Sequence, residues 1–526
     1  MKTLCWRRLC GLLGLLLCGG WAQAQEAKFD VFEYRVQGVR LLPALDVEKA
    51  VYPHMGEAKT LADVEKAREA LEKAYHGQGY LTVLVSIPQQ RVDKGLVRLQ
   101  VTEAPVDRLR VVGARHFSPQ DIKDAVPELA EGQVPNFTDM QAELMAVNRN
   151  PDRRVSPVLR PGKTPGTVEV DLKVQDQRPF HGSVELNDRY SPDTSRSRLT
   201  ASARWDNLWG RQHSIGVTAQ TAPQNSHESR VFSLNYTLPL AGGNILALYG
   251  VKTDSDVAAV GTLNVVGRGT IVGLRFIKPL PGAEGFFHSA SLGVDHKDFD
   301  QSVNLIGSGG FNTPIAYLPF TAGWDATWLG QDRTTRLGLQ MNLHVQGLVG
   351  DEQEFADKRF KGRPSYLYLR GNVSQERRFE SGHGLNLRAQ WQLAGQPLIS
   401  NEQFAMGGVD TVRGYFESAA LGERGLVLSV EGLSPNLMRH LSQADEVSGA
   451  LRALAFFDAG TVRVIDPITA QDRFTLSSVG LGLRLDAGNG LKADLLWAYP
   501  LKAVGSGSGQ TARGDHRLHL NIAYDW

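Results

Sequence analysis

Cysteine is almost missing from this chain of 526 residues: there are 3, at positions 5, 10 and 18. All of them lie in a stretch, residues 1–24, that reads as a secretory signal peptide. Lys2, Arg7 and Arg8 form its charged start, Leu9 to Cys18 its apolar centre, and Ala22-Gln23-Ala24 a small-residue cleavage site before Gln25. A lipoprotein signal at Cys18 is the weaker reading, because Leu17 stands where a small residue is wanted. Removal of the signal leaves no thiol, which excludes disulfides and thiolate metal sites from the mature chain. Long apolar runs are missing as well. Beyond the signal nothing approaches the roughly eighteen consecutive apolar residues of a membrane helix. An excess of charge is also missing: 57 Lys and Arg stand against 56 Asp and Glu, so no electrostatic case exists for nucleic acid as a partner. The 13 histidines show no H-x-x-x-H pair, and no Gly-x-Ser-x-Gly elbow or nucleotide-binding signature occurs. The acidic group Asp351, Glu352 and Glu354 reads as a solvated loop rather than a cation site. The expectation is therefore a protein that is not an enzyme, with no cofactor and no metal.

What is present falls into two kinds of sequence. Residues 30–103 have the pattern of a small α+β unit: a strand in Phe32–Val39, a short helix in Asp46–Val51 ended by Pro53, and a second helix opened by Thr60 with Asp63 as its capping-box partner. Leu61, Val64, Leu71 and Tyr75 recur in it at helical spacing, Gly77 and Gly79 stop it, and strands follow in Leu81–Ile87 and Leu96–Val101. Residues 104–176 repeat that order. Val106–Val112 is a strand, Ser118-Pro119 opens one helix, Thr138 with Gln141 is expected to cap another through Val147, and Arg154–Arg160 with Thr167–Val174 forms a closing hairpin.

From residue 178 onward the composition changes. Trp, absent between residues 25 and 177, appears at 205, 209, 324, 328, 391, 497 and 526, and alternation of apolar and polar residues replaces helical spacing. Leu337 to Val345, Leu385 to Leu393 and Arg517 to Trp526 keep a period of two over nine or ten residues. A soluble sandwich also alternates, but runs of this length fit tilted membrane strands, and aromatics near strand ends fit an interfacial girdle. Residues 178–526 have room for about sixteen such strands, punctuated by Ser191–Arg196, Ala222–Glu228 and Gly505–Gly509. A barrel of that size encloses an aqueous lumen unless something fills it. Arg388, Gln390 and Arg484 fall on polar faces and are candidates to line it. Two stretches stand apart: Val412-Arg413-Gly414-Tyr415-Phe416 in a glycine-bearing segment around 405–425, and Phe456-Phe457-Asp458-Ala459-Gly460, which places a carboxylate inside an apolar strand.

Taken in order, Gly79-Tyr80 leading to Ser86-Ile87-Pro88-Gln89, Asn148-Arg149-Asn150-Pro151 with Leu159-Arg160-Pro161-Gly162, and Val412 to Tyr415 resemble the outer-membrane transporters of two-partner secretion. That family exports haemolysins and filamentous adhesins and belongs to the POTRA-barrel superfamily. The resemblance implies a mainly β protein: two periplasmic α+β POTRA domains, at 30–103 and 104–176, followed by a 16-stranded antiparallel transmembrane β-barrel at 178–526. It implies that the loop bearing Val412, Arg413, Gly414 and Tyr415 folds into the lumen, where Arg413 pairs with Asp458 of the Phe456, Asp458, Gly460 motif. It implies as partner a large secreted β-helical exoprotein, haemolysin or adhesin, delivered unfolded and exported without ATP, and an outer-membrane lipid setting for a monomeric barrel. Exposed POTRA edges would take the client as an added strand, with Leu81, Val83 and Val85, and Val168, Val170 and Leu172, as candidate contacts. Related superfamily members assemble other barrels, which stands as the alternative function; a passive porin would not need the repeats. Family members can carry a plug helix ahead of the first POTRA domain. The short interval between Gln25 and the first expected strand leaves no room for one, so the loop around Arg413 is expected to be the main obstruction of the pore.

Overall fold

In the computed structural model, the structure describes residues 28–526 apart from 149, 193, 256, 261–262, 267, 301, 304–310, 439–448 and 506–508. The signal-peptide reading, Arg149, and parts of the 191–196 and 505–509 loops therefore lie outside the described residues. Two compact units are formed, one ending at Gln177 and one beginning at Arg178.

The N-terminal unit contains the two repeats. In the first, Leu96–Thr102 is the middle strand, parallel to Glu33–Gln37 and antiparallel to Leu84–Ser86. Helix Leu61–Gly77 lays Val64, Leu71 and Tyr75 on Val97, Leu99 and Val101, and Asp63 accepts the Thr60 backbone N–H at 3.0 Å, closing the expected box. In the second, Val168–Asp176 is the middle strand, parallel to Val106–Val112 and antiparallel to Arg153–Pro161. The helix there is Phe137–Val147, and its cap is Asn136, whose side chain accepts the Thr138 N–H at 3.0 Å, rather than Thr138 as the sequence suggested. An Asn placed immediately before the first helical residue is as good a cap as Ser or Asp.

Two docking expectations need correction. Val168, Val170 and Leu172 lie on the central strand, which is hydrogen-bonded on both sides, and Val170 and Leu172 are fully buried. They offer no free edge. Pro157 carried the signal: proline is confined to edge strands, so Arg153–Pro161 had to be the outer strand and its hairpin partner an inner one. In the first repeat the edge strand is shorter than expected, Leu84–Ser86; Val83 and Val85 point into the core, Leu81 sits in an exposed turn, and Leu84 is the exposed side chain at 62%.

Asp176 closes the second repeat. Its Oδ2 accepts the backbone N–H groups of Arg115, His116 and Phe117 at 2.8, 2.7 and 3.2 Å. Burial opposes the charge, but those three donors outweigh it and hold the carboxyl below its usual pKa. A depressed carboxylate contributes stability that is present above its unfolded pKa and lost as pH falls through the folded value. Asp176→Ala is expected to cost about 1–3 kcal/mol in the unfolding of this unit at pH 7, a loss that shrinks below the ordinary carboxylate range. Denaturant titrations of both proteins at neutral and acid pH check this; equal losses at both would contradict it.

The second unit is a closed antiparallel barrel. Its strands are β1 Phe180–Asn187, β2 Arg198–Leu208, β3 His213–Thr221, β4 Arg230–Pro239, β5 Ile245–Asp254, β6 Arg268–Ala283, β7 Phe286–Asp300 and β8 Phe320–Leu329. They continue as β9 Arg333–His344, β10 Tyr366–Arg378, β11 Gly384–Ala394, β12 Arg424–Leu433, β13 Ala450–Arg463, β14 Arg473–Asp486, β15 Leu491–Pro500 and β16 Arg517–Asp525. β16 pairs β1 from Asn521↔Asn187 to Asp525↔Ser183 and so closes the ring. Alternation decides the faces: in β12, Leu426, Leu428 and Val430 are exposed while Val427, Ser429 and Glu431 are buried inside. At the end where β1 begins, ring pairs Phe180–Trp205, Phe286–Trp328 and Tyr524–Trp526 give the aromatic rim. Asp351 caps a short helix, Glu352–Lys358, between β9 and β10. No helix among the described residues is long and apolar enough to cross a membrane.

Candidate functional site: a loop anchored in the barrel lumen

The connection from β11 to β12, residues 395–423, does not stay at the rim. Its central arm forms a small hairpin, Phe404–Met406 against Ala420–Gly422. That hairpin packs on the inner faces of β12 and β13 with Val412 and Tyr415 in a common apolar cluster that includes Val427 and Val462. The wall is made to receive it: a Cβ on Gly460 would stand 2.5 Å from the Met406 sulfur, so only glycine lets the arm lie this close.

At the tip the chain turns at Gly414, whose φ of +90° belongs to glycine, and the preceding side chain points into the wall. Arg413 is 1% exposed. Its Nε donates to Asp458 Oδ2 at 2.7 Å and its Nη2 to Asp458 Oδ1 at 2.8 Å, a bidentate fork. Its backbone N–H reaches the same carboxylate at 3.1 Å. Nη1 donates to Glu431 Oε2 at 2.8 Å, and Nη2 also reaches Ser429 Oγ at 3.2 Å. The guanidinium carbon lies 3.5 Å from the centre of the Phe456 ring, a cation–π contact in a dry setting. Phe456, Asp458 and Gly460 alternate on one face of β13, so the three motif residues supply ring, carboxylate and clearance to one loop.

Neighbouring contacts extend the anchor. The Tyr415 hydroxyl lies 2.9 Å from both the Ser477 and Lys502 carbonyl oxygens. The Gly414 N–H donates to His519 Nε2 at 3.1 Å, and His519 Nδ1 faces Asp188 Oδ2 at 3.1 Å; the ring is thus the tautomer carrying its proton on Nδ1. Arg189 forks onto Asp410 at 2.7 and 3.2 Å. The tip is held by β12, β13, β14, the start of the β15–β16 connection, β16, and the residues that follow β1.

Arg484 binds Glu431 and Asp494, each at 2.8 Å. With Arg388, Glu376, Asp410 and Arg413 it lines a polar cavity of about 340 Å3 beside the tip. Gln390 alternates onto the same inward face of β11 as Arg388 and Gln392 but is not part of that cavity's wall. A larger cavity, about 700 Å3, lies over β5 to β10 and is lined by Arg275, Asp295, Lys297, Arg370 and Asn372 among others. Sequence reasoning missed Glu431, Ser429 and His519. The period of two in β12 and β16 places all three on inward faces, which was the available signal.

A closed barrel with a lumen-folded loop behind a pair of α+β repeats defines a class: outer-membrane transporters with periplasmic POTRA domains. The family described as haemolysin secretion/activation protein ShlB/FhaC/HecB matches residues 166–275 and 319–485, and the ShlB-type POTRA domain matches 29–104. The chain belongs to that family, whose members are outer-membrane secretion channels and not enzymes. It is 23% identical over 430 residues to the outer membrane transporter CdiB of Dickeya dadantii (strain 3937), covering 76% of this chain and 71% of that one. To the heme/hemopexin transporter protein HuxB of Haemophilus influenzae (strain ATCC 51907 / DSM 11121 / KW20 / Rd) it is 20% identical over 454 residues, covering 83% and 77%. Among solved structures, CdiB from Escherichia coli superposes with a TM-score of 0.68 at 18% identity over 96% of this chain and 92% of that one. BamA from Haemophilus ducreyi lacking POTRA domains 1–3 superposes at 0.57 with 13% identity, over 95% and 100%. These two likenesses show the fold. The protein is an outer-membrane transporter with its POTRA region in the periplasm.

Proposed function

We propose that this chain exports one secreted protein partner, received unfolded in the periplasm and passed through the barrel without nucleotide hydrolysis. The observation that carries the reading is the buried Arg413 anchor. It holds a removable obstruction in a polar lumen, which a client needs and a passive pore does not. The POTRA edge strands offer the client a first site by strand addition once the side chains that cap them give way: Glu72 and Arg68 hold the N–H and C=O of Val85, and Asn148 holds those of Val155. Leu84–Ser86 lies beside helix Leu61–Gly77, and Arg153–Pro161 lies beside helix Phe137–Val147. A groove between an edge strand and a helix accepts an extended peptide whose backbone N–H and C=O groups are unpaired, as those of an unfolded client are. CdiB and HuxB carry transporter names, and a haemolysin- or adhesin-like β-helical exoprotein is the partner class proposed here by family membership. Folding of the client outside the cell supplies direction, since a folded product cannot re-enter the lumen.

Deleting the chain is expected to remove one large exoprotein from the surface and medium while the general outer-membrane protein profile stays normal. Mass spectrometry of medium and outer membranes checks both halves. A broad loss of barrel proteins would instead support the assembly-factor alternative.

A further inference from the structure

We propose that Glu402 is a positioning residue for the lumen loop: it fixes the base of the loop to β7 and β10 independently of Arg413, so that release at Arg413 leaves the loop hinged rather than free. The inference rests on the export reading above and adds a second anchor to it.

Glu402 ends a short turn, Ser400–Glu402, just ahead of the arm, and is 2% exposed. Its Oε1 accepts Lys297 Nζ and the Tyr317 hydroxyl, each at 2.7 Å, and its Oε2 accepts the Tyr368 hydroxyl at 2.6 Å. Lys297 of β7 and Tyr317 are directly paired in register, and Tyr368 belongs to β10. Beneath them lies an aromatic platform in which Tyr317, His344, Phe355, Tyr366 and Tyr368 contact one another. A carboxylate buried this deeply stays only where its donors stay.

The other foot of the arm is built alike. Glu423, with no exposed surface, accepts Arg359 at 3.2 Å, Gln403 Nε2 at 2.8 Å and the Ile465 N–H at 2.8 Å. Gln392 Nε2 reaches the backbone oxygens of both Glu402 and Glu423, at 3.1 and 3.3 Å. The arm between these feet carries Arg413, and its anchor uses Ser429, Glu431 and Asp458, none of which touches Glu402. The two sites share no partner but hold one loop, so each restrains the arm when the other is gone and their effects couple through it. Glu402 and Lys297 also line the larger cavity and Arg413 the smaller one, so an arm hinged at its feet would join the two when its tip lets go.

The test is the conductance of the purified full chain in planar lipid bilayers, with heat-modifiable mobility reporting a folded barrel. Arg413→Ala is expected to give a flickering rise over the native chain. Adding Glu402→Ala is expected to raise time-averaged conductance about tenfold further and make it steady, whereas Glu402→Ala alone changes it less than about twofold because Arg413 still holds the arm. Lys297→Met with Glu402→Gln removes the ion pair but keeps a hydrogen bond to each hydroxyl, the amide oxygen accepting from one and the amide NH2 donating to the other; in the Arg413→Ala background it is expected to stay at the value of Arg413→Ala alone. Tyr317→Phe with Tyr368→Phe keeps the carboxylate and removes two donors, and in that background should move conductance in the same direction as Glu402→Ala; it decides the matter if Glu402→Ala does not fold. A double variant no more conductive than Arg413→Ala, or a Glu402→Ala single variant equal to the double, overturns the proposal. Conductance needs no client, so failure here leaves the export reading standing, while failure of the deletion experiment leaves the anchor measurable.

Discussion

Arg413→Ala is expected to cut release of the exported partner at least tenfold while leaving a folded, heat-modifiable barrel in the membrane. The side chain makes its bonds to the wall of a barrel that is already closed by strand pairing, so the barrel does not need it. The loop does. Without the guanidinium, Asp458 becomes a buried carboxylate without its counter-charge while Glu431 keeps only Arg484, and breaking such a cluster by removing one member costs about 3–5 kcal/mol. The arm gains freedom instead, since a long loop ordered in a wet lumen gives up much conformational entropy to stay there, and an arm that cannot reseat lies disordered across the client's path rather than moving aside as one body. Immunoblots of the partner in the medium, normalised to transporter in the outer membrane, give the readout. Normal release with a demonstrably folded variant would remove Arg413 from the mechanism. Lysine does not substitute, because a single ammonium cannot fork onto Asp458 while also reaching Glu431.

The second large effect concerns the two carboxylates, which are not equivalent. Asp458 accepts both Nε and Nη2 of Arg413 and its backbone N–H, whereas Glu431 accepts one nitrogen and is shared with Arg484. Asp458→Asn is therefore expected to lower export nearly as far as Arg413→Ala, and Glu431→Gln by no more than about a third of that loss in free-energy terms. The shared geometry also limits a charge exchange. Arg413→Asp with Asp458→Arg would set an aspartate beside Glu431, so partial recovery is expected only when Glu431→Gln accompanies the exchange. Recovery by the two-residue exchange alone would mean that Glu431 carries no weight in the cluster. Export assays on the four variants separate these cases.

The sequence made the architecture readable because both halves announce themselves by period. Helical spacing in Leu61 to Tyr75 and strict alternation in β9, β11 and β16 translate directly into buried faces. The arginine and the aspartate were visible as charges out of place, one among Val, Gly and Tyr and one inside an apolar strand. What the sequence did not show was the company they keep. Glu431 and Ser429 look like ordinary lumen-facing polar residues of β12 until the loop lies over them. His519 looks like any polar residue of the last strand. Glu402 and Glu423 sit in loop sequence with no period to place them, and only the fold reveals that each is buried among donors from distant strands. The docking strands failed for a different reason: which strand of a three-stranded sheet is the edge depends on pairing order, and a hairpin read locally assigns Val168–Asp176 no second neighbour.

The central claim is that the arm bearing Arg413 must leave the wall for a client to pass. A removable lock tests it most directly, and the absence of cysteine after residue 18 makes the lock clean. Met406→Cys with Gly460→Cys vacates the sulfur nearest to a side chain at position 460 and fills the gap from the other side, keeping volume nearly constant while the Val427 methyl, 2.8 Å from the added Cβ, turns aside. With the disulfide formed, export is expected to stop, and dithiothreitol is expected to restore it. Quantitatively crosslinked transporter that exports its partner as fast as the reduced form would contradict the account.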